Sequence, residues 1–153
     1  MAADDKLAEL KLELPAAAKP QGVYKPVVMV GNLAYVSGHG PLLPDGTLIK
    51  GRVGADLDLD AGRRAARQVG LSILATLGQY LGGLNRVRRL VKTLGLVNCT
   101  ADFHQQPAVI NGFSELMADV FGPDNGVGAR SAFGAPALPN NMAVEVEAIF
   151  EID

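Results

Sequence analysis

The segment Met-Ala-Val-Glu-Val-Glu-Ala-Ile-Phe-Glu-Ile, at residues 142–152, alternates between two sets of side chains along its whole length. One set is entirely apolar and consists of Met142, Val144, Val146, Ala148, Phe150 and Ile152. Successive side chains of a β-strand point to opposite faces of a sheet. The segment therefore predicts a strand with one buried face, whose other face carries Glu145, Glu147 and Glu151.

A β-hairpin is predicted nearer the start of the chain. Val27–Val30 and Leu33–Val36 are rich in β-branched residues, and they flank the pair Gly31-Asn32, which tolerates the positive φ of a two-residue loop. The sequence Ser-Gly-His-Gly-Pro at 37–41 follows directly, and its two glycines and proline predict a sharp turn of the backbone. Another turn is predicted at 44–46, before a short extended piece at 47–49.

Two long helices and two further strands are predicted between the hairpin and the last strand. The first helix follows three aspartates, any of which could be its N-cap, and Gly82-Gly83 ends it. Pro107 fits the first turn of the second helix. The apolar stripes are Ala66, Val69, Ile73, Leu77 and Leu81 in the first helix, and Ile110, Phe113, Met117 and Val120 in the second. Residues 86–98 and 130–135 are predicted as strands.

This order of elements predicts a two-layer α+β fold. Two main helices cannot cover both faces of one mixed sheet of five or six strands, so they lie on one face. The hairpin has apolar residues on both of its faces, which favours an oligomer that covers the second face, with Ala143 and Ile149 buried there. Residues 1–20 form a separate N-terminal helix, from Asp4 to Leu14, and a linker, and residues 21–153 form the domain.

The composition excludes several classes of protein. Lysine plus arginine total 14 and aspartate plus glutamate total 16, a formal net charge of −2 that argues against nucleic-acid binding. Cys99 is the only cysteine, so no intramolecular disulfide can form. The N-terminus has no apolar run typical of a signal peptide, and no stretch is long and apolar enough for a bilayer. These features predict a cytoplasmic protein without a membrane partner.

The familiar catalytic and metal-binding motifs are also absent. The sequence has no Walker A motif, no dinucleotide-binding glycine pattern, no HExxH and no CxxC. His39 and His104 have no cysteine or carboxylate at metal-ligand spacing, so no metal site is predicted.

Arg130 and Glu145 are the strongest candidates for chemistry, and each has a structural alternative. Arg130 opens an extended run after a glycine-rich loop, and its planar fork suits a carboxylate ligand. It could instead form a structural salt bridge with Glu145 or Glu147. Glu145 lies inside a strand, where it either faces solvent or points into a cleft.

Five segments carry a resemblance to a known family. They are Gly22-Val23-Tyr24, Gly-Asn-Leu-Ala-Tyr-Val-Ser-Gly at 31–38, Val-Ile-Asn-Gly-Phe at 109–113, Gly-Ala-Arg-Ser at 128–131, and Leu-Pro-Asn-Asn-Met-Ala-Val-Glu-Val-Glu-Ala-Ile at 138–149. From Gly22 onward the sequence resembles the RidA/YjgF family, also called endoribonuclease L-PSP proteins. The resemblance implies a chorismate-mutase-like fold, a homotrimer with clefts between subunits, and cofactor-free hydrolysis of 2-aminoacrylate and related enamine or imine acids.

The resemblance also implies roles for individual residues. Arg130 matches the arginine that grips the substrate carboxylate, and Glu145 matches the glutamate that positions or activates water. The remaining cleft residues that the resemblance implies are Tyr24, Ser37, Gly38 and Asn111. The chain departs from the better-characterised members at Ala132, where many deaminases have cysteine, and at His39, where glutamine is common.

Three functions remain open from the sequence. The first is an enamine/imine deaminase, and the second is a trimer that binds small carboxylates without turnover. Arg130 supports both, because a carboxylate clamp binds whether or not chemistry follows, and Glu145 favours the first. The third is a ribonuclease, which the balanced charge and the lack of a histidine acid–base pair disfavour.

Overall fold

A computed structural model describes all 153 residues. The chain forms one sheet with helices packed on one of its faces. The elements are α1 (Ala3–Glu9), β1 (Val27–Val30), β2 (Leu33–His39), α2 (Leu59–Leu81), β3 (Val87–Asn98), α3 (Gln106–Phe121), β4 (Ala129–Ala135), a 3-10 turn (Pro139–Asn141) and β5 (Val144–Ile152). The strand order is β1-β2-β5-β3-β4, and only β3 and β4 are parallel. The predicted α+β fold with one mixed sheet is confirmed.

The core lies between the sheet and helices α2 and α3. All six members of the apolar set of residues 142–152 are buried, as the alternation predicted. The Asp58 side chain caps α2 by accepting a hydrogen bond of 2.8 Å from the Ala61 N–H. Gly82 ends the helix in the left-handed conformation, with a φ of 73°. No helix of the chain has the combined length and apolar character needed to cross a membrane.

Helices α2 and α3 approach each other closely at Gly112. A methyl group at this position would lie 2.1 Å from the Arg63 carbonyl oxygen, which is far inside van der Waals contact. Glycine is therefore required here by packing, and this contact sets the spacing of the helix layer.

The face of the sheet opposite the helices is open and carries several exposed apolar side chains. Val28, Tyr35 and Phe133 are among its exposed side chains. The prediction that Ala143 becomes buried only on assembly is wrong, because this residue is already fully buried within the chain. Its N–H donates to the Ile49 carbonyl, so the segment before α2 covers it. That segment, predicted as a short extended piece at 47–49, pairs only through isolated bridges such as Leu42 with Leu48 and Lys50 with Met142.

The N-terminal helix is shorter than the periodicity of its leucines predicted. It ends at Glu9, and Lys11 follows with a φ of 53°. Leu12 and Leu14 pack against the core from an irregular segment, because a turn at this point brings both of them onto the core. The chain then continues without helix or strand to Pro26, and we call residues 16–24 the strap.

Candidate functional site

A β-bulge in β2 shapes the first part of the site. Val36 pairs with Ala148 and His39 pairs with Val146, so Ser37 and Gly38 together lie opposite the single residue Glu147. A bulge of this kind interrupts the ladder and re-aims the neighbouring side chains. It places Ser37 and Gly38 beside the polar face of β5.

Ser37 and Gly38 are both fixed by close contacts. The Ser37 hydroxyl donates a hydrogen bond of 2.6 Å to the Lys25 carbonyl. Gly38 lies against Glu145, since a methyl group at Gly38 would come 2.9 Å from Glu145 Oε1 and 3.2 Å from its Cγ. Only glycine allows the carboxylate to lie this close to the backbone of the bulge.

Glu145 is a partly buried carboxylate whose charge no ion pair offsets. Burial raises its pKa above the ordinary value for glutamate, and the nearby charge of Glu147 raises it further. A carboxyl group with a raised pKa is a stronger base once it is ionised, which suits it to accept a proton from water.

A cleft of about 670 Å³ surrounds this carboxylate. Tyr24, Ser37, Gly38 and Glu145 all line it, and we call these four residues the Glu145 half-site. The strap contributes residues 18–22 as one wall, and Tyr24 holds the strap because its hydroxyl accepts a hydrogen bond of 3.3 Å from the Gln21 N–H.

Arg130 and Asn111 lie elsewhere, at the junction of β4 and α3. Arg130 Nη1 donates to Asn111 Oδ1 at 2.8 Å and to Ser114 Oγ at 3.2 Å. We call these three residues the Arg130 half-site. The alternative of a structural salt bridge to Glu145 or Glu147 is wrong, because Arg130 makes no ion pair within the chain.

The two half-sites lie on opposite faces of the sheet. Arg130 is in register with the buried Thr93, which in turn is in register with Ala148 in the core, so all three face the helices. Glu145 is three residues from Ala148 on the same strand and therefore points to the other face. Two strand spacings and three residues of rise separate their Cα atoms by about 14 Å. One chain cannot bring the two side chains to one small substrate.

The structure thus places four predicted site residues together and the other two in a second location. Ser114 was missed, although its position three residues after Asn111 puts both on one face of α3. His39 also lines the cleft and was singled out only as a departure from the family pattern. Ala132, the other departure, packs partly buried at the edge of the core.

No three His, Cys, Asp or Glu side chains are grouped so that they could hold a metal ion.

Comparison with known proteins identifies the family of the chain. The family model described as "YjgF/chorismate_mutase-like, putative endoribonuclease" matches residues 4–152. The chain belongs to this YjgF-like family. The match includes the N-terminal helix, the strap and both half-sites.

Individual YjgF-like relatives match over most of their length. Protein TCP17 from Trypanosoma cruzi is 40% identical over 147 residues, which are 96% of this chain and 92% of that protein. A structure from Shewanella oneidensis MR-1, described as a "putative endoribonuclease", has 29% identity and a TM-score of 0.94 and covers 99% of this chain and 100% of that one. RidA from the Antarctic bacterium Psychrobacter sp. PAMC 21119 has 28% identity and a TM-score of 0.61, over 91% and 94% of the two chains.

Proposed function

We propose that this YjgF-like protein hydrolyses 2-imino acids, and the enamines that tautomerise to them, to 2-keto acids and ammonia. The reaction takes place in clefts between copies of the chain in a homotrimer. In each cleft one chain supplies the Arg130 half-site and its neighbour supplies the Glu145 half-site.

The observation that carries this proposal is the pair of complementary, unsatisfied charges on opposite faces of the sheet. Arg130 is a partly buried guanidinium with no carboxylate partner, and Glu145 is a partly buried carboxylate with no cationic partner. Buried charges without partners are costly in a folded protein, so their presence in both places suggests that a ligand and a second subunit complete them.

The chemistry needs only these two groups and water. The Arg130 fork holds the substrate carboxylate, and Asn111 and Ser114 keep the guanidinium in position through Nη1. Glu145 accepts a proton as a water oxygen bonds to the imine carbon, and the C=N electron pair moves to nitrogen. Glu145 returns that proton to the nitrogen, and the new hydroxyl then gives up its own proton, which passes through Glu145 to the nitrogen. The C=O bond forms as the C–N bond breaks with its electron pair on nitrogen, and a 2-keto acid and ammonia result.

The open face of the sheet supports the assembly. A groove of about 340 Å³ crosses it, and Val28, Tyr35, Leu94 and Ile149 are among its apolar lining residues. A row of exposed apolar side chains on an uncovered sheet face fits a protein–protein contact. Sedimentation should therefore give a trimer at micromolar concentration, and a stable monomer would contradict the proposal.

Ammonia release from imines tests the activity directly. An amino-acid oxidase generates 2-imino acids in situ from a panel of amino acids, and the protein should accelerate their conversion to keto acid and ammonia. We expect Arg130→Ala to lose both turnover and pyruvate binding, by about tenfold to a few hundredfold. Arg130→Lys should restore little, because an ammonium lacks the fork. The exposed Arg64 provides the control Arg64→Ala.

Glu145→Gln should behave differently, because it removes the proton acceptor and keeps the shape. Pyruvate should still bind, while hydrolysis falls about a hundredfold or more. Glu151→Gln is the matched control, since Glu151 lies on the same strand and face but pairs with Arg89 at the surface. If Glu145→Gln keeps full turnover, this residue does not activate water.

The same measurements separate the other two functions. A protein that binds pyruvate tightly but never accelerates ammonia release is a carboxylate-binding trimer. Cleavage of RNA that survives both Arg130→Ala and Glu145→Gln would favour the activity after which several relatives are named. His39 is 5% exposed and hydrogen-bonded through both ring nitrogens, and His104 is exposed, so the two histidines do not form an acid–base pair.

A further inference from the structure

The side chain of His39 connects the bulge of β2 to helix α2. Its Nδ1 lies 2.6 Å from the Ser37 carbonyl oxygen, and its Nε2 lies 2.8 Å from Thr76 Oγ1. Thr76 is fully buried in α2. The ring therefore joins the open face of the sheet, through Ser37, to the helix layer on the other side.

The bulge explains why this connection is needed. Two residues of β2 face one residue of β5 there, so the regular ladder cannot pair every backbone group. Beside this irregularity the partly buried Ser37 carbonyl accepts a hydrogen bond from the His39 ring, which stabilises the backbone there. The bulge also turns His39 to the helix side, whereas strict alternation from the buried Val36 would have turned it to the open face.

The Ser37 carbonyl fixes the tautomer of the neutral His39 ring. A carbonyl oxygen can only accept, so Nδ1 must carry the proton, and Nε2 of the neutral ring then accepts from the Thr76 hydroxyl. Burial lowers the pKa of His39, which favours the same neutral form. The Ser37 carbonyl thus selects the tautomer, and the Thr76 hydroxyl fits it by donating to Nε2.

We propose that His39 is a positioning residue, which holds the bulge so that Gly38 lies against the Glu145 carboxylate. Thr76 supports the ring from the helix side by donating to Nε2. This role deepens the proposed function, on which it rests, because Glu145 is the proton acceptor assigned there. His39 itself touches neither substrate nor water in the reaction.

The first test measures which ring nitrogen of His39 carries the proton, and it needs no substrate. In ¹⁵N NMR of the imidazole rings, the His39 signals should show a protonated Nδ1 and an unprotonated Nε2, and His104→Ala identifies which signals belong to His39. Thr76→Val removes the donor to Nε2 and keeps the shape, so the Nε2 signal should shift while Nδ1 stays protonated against the Ser37 carbonyl. A proton on Nε2 in the unsubstituted protein would overturn the proposal.

The second test reads the environment of Glu145. In ¹³C NMR of the glutamate carboxyl carbons, His39→Ala should move the pKa of Glu145 back toward that of an ordinary glutamate, because a loosened bulge admits water. His39→Asn should keep more of the shift, since its amide nitrogen replaces Nδ1 as donor to Ser37. His104→Ala should change nothing. If His39→Ala lowers only the melting temperature and leaves the Glu145 titration unchanged, the role is merely structural and the proposal fails.

The third test reads turnover. His39→Ala should lower imine hydrolysis about tenfold to a hundredfold, the cost of a misplaced catalytic group, while pyruvate affinity stays near that of the original protein. Equal losses in both would contradict a role that acts on Glu145 alone. If the original protein hydrolyses no imine, the proposed function fails, and the two NMR experiments still decide the role of His39.

Discussion

Mixing two inactive variants should restore activity, because Arg130 and Glu145 point to opposite faces of one sheet. A chain with Arg130→Ala keeps an intact Glu145 half-site, and a chain with Glu145→Gln keeps an intact Arg130 half-site. In a trimer assembled at random from equal amounts, each cleft takes one half-site from each of two neighbours. About one quarter of the clefts, a half multiplied by a half, then contain both intact side chains.

The assay compares ammonia release from in-situ imines before and after exchange of subunits, by joint refolding or co-expression. Alone, Glu145→Gln should retain about 1% of the original rate or less and Arg130→Ala about 10% or less, and the mixture should reach about one quarter. The control for subunit exchange mixes equal amounts of the original protein and a variant that carries both Arg130→Ala and Glu145→Gln. Before exchange this mixture has about one half of the original activity, and after exchange it should have about one quarter. If that control shows exchange and the two single variants still give no recovery, the site lies within one chain and the reasoning is refuted.

Three further outcomes follow from the site and the core. Glu147→Gln should shift the acid limb of the pH–rate profile to lower pH, because it removes a charge that raises the pKa of Glu145. If the acid limb stays at the same pH, ionisation of Glu145 does not control the rate. Glu145→Gln should raise the free energy of unfolding at neutral pH, where the ionised carboxylate is unfavourable in the folded state. Urea titrations should show this gain disappearing as the pH falls through the raised value toward the ordinary one of about 4.5. Gly112→Ala should lower the free energy of unfolding by about 2–3 kcal/mol through its clash with the Arg63 carbonyl, and a chemical melt that is unchanged would contradict the close helix contact.

Much of the fold follows from local signals in the sequence. The alternation of residues 142–152 identified the strand and its buried face, and Gly31-Asn32 identified the hairpin with the register that the structure has. Asp58 and Gly82 lie at the two ends of α2, as their cap chemistry predicts. Each of these signals depends only on residues that are neighbours in the chain, so the sequence alone is enough to recognise them.

The division of the site depends instead on contacts between distant segments. The bulge at Ser37 and Gly38 exists only in relation to β5, more than a hundred residues later, so the alternation of β2 alone could not place His39 on the helix side. The opposite directions of Arg130 and Glu145 follow from the register of three strands. Family resemblance named both residues, but only the sheet geometry shows that one chain cannot use them together.

The proposed division of the site between two chains also has an evolutionary consequence. After a gene duplication, one copy can lose Arg130 and the other can lose Glu145, and mixed assemblies of the two products would still contain complete clefts. Neither gene would then suffice alone, and selection would preserve both copies without either acquiring a new activity. A sheet that presents its two functional groups in opposite directions is therefore predisposed to become an obligate heteromer.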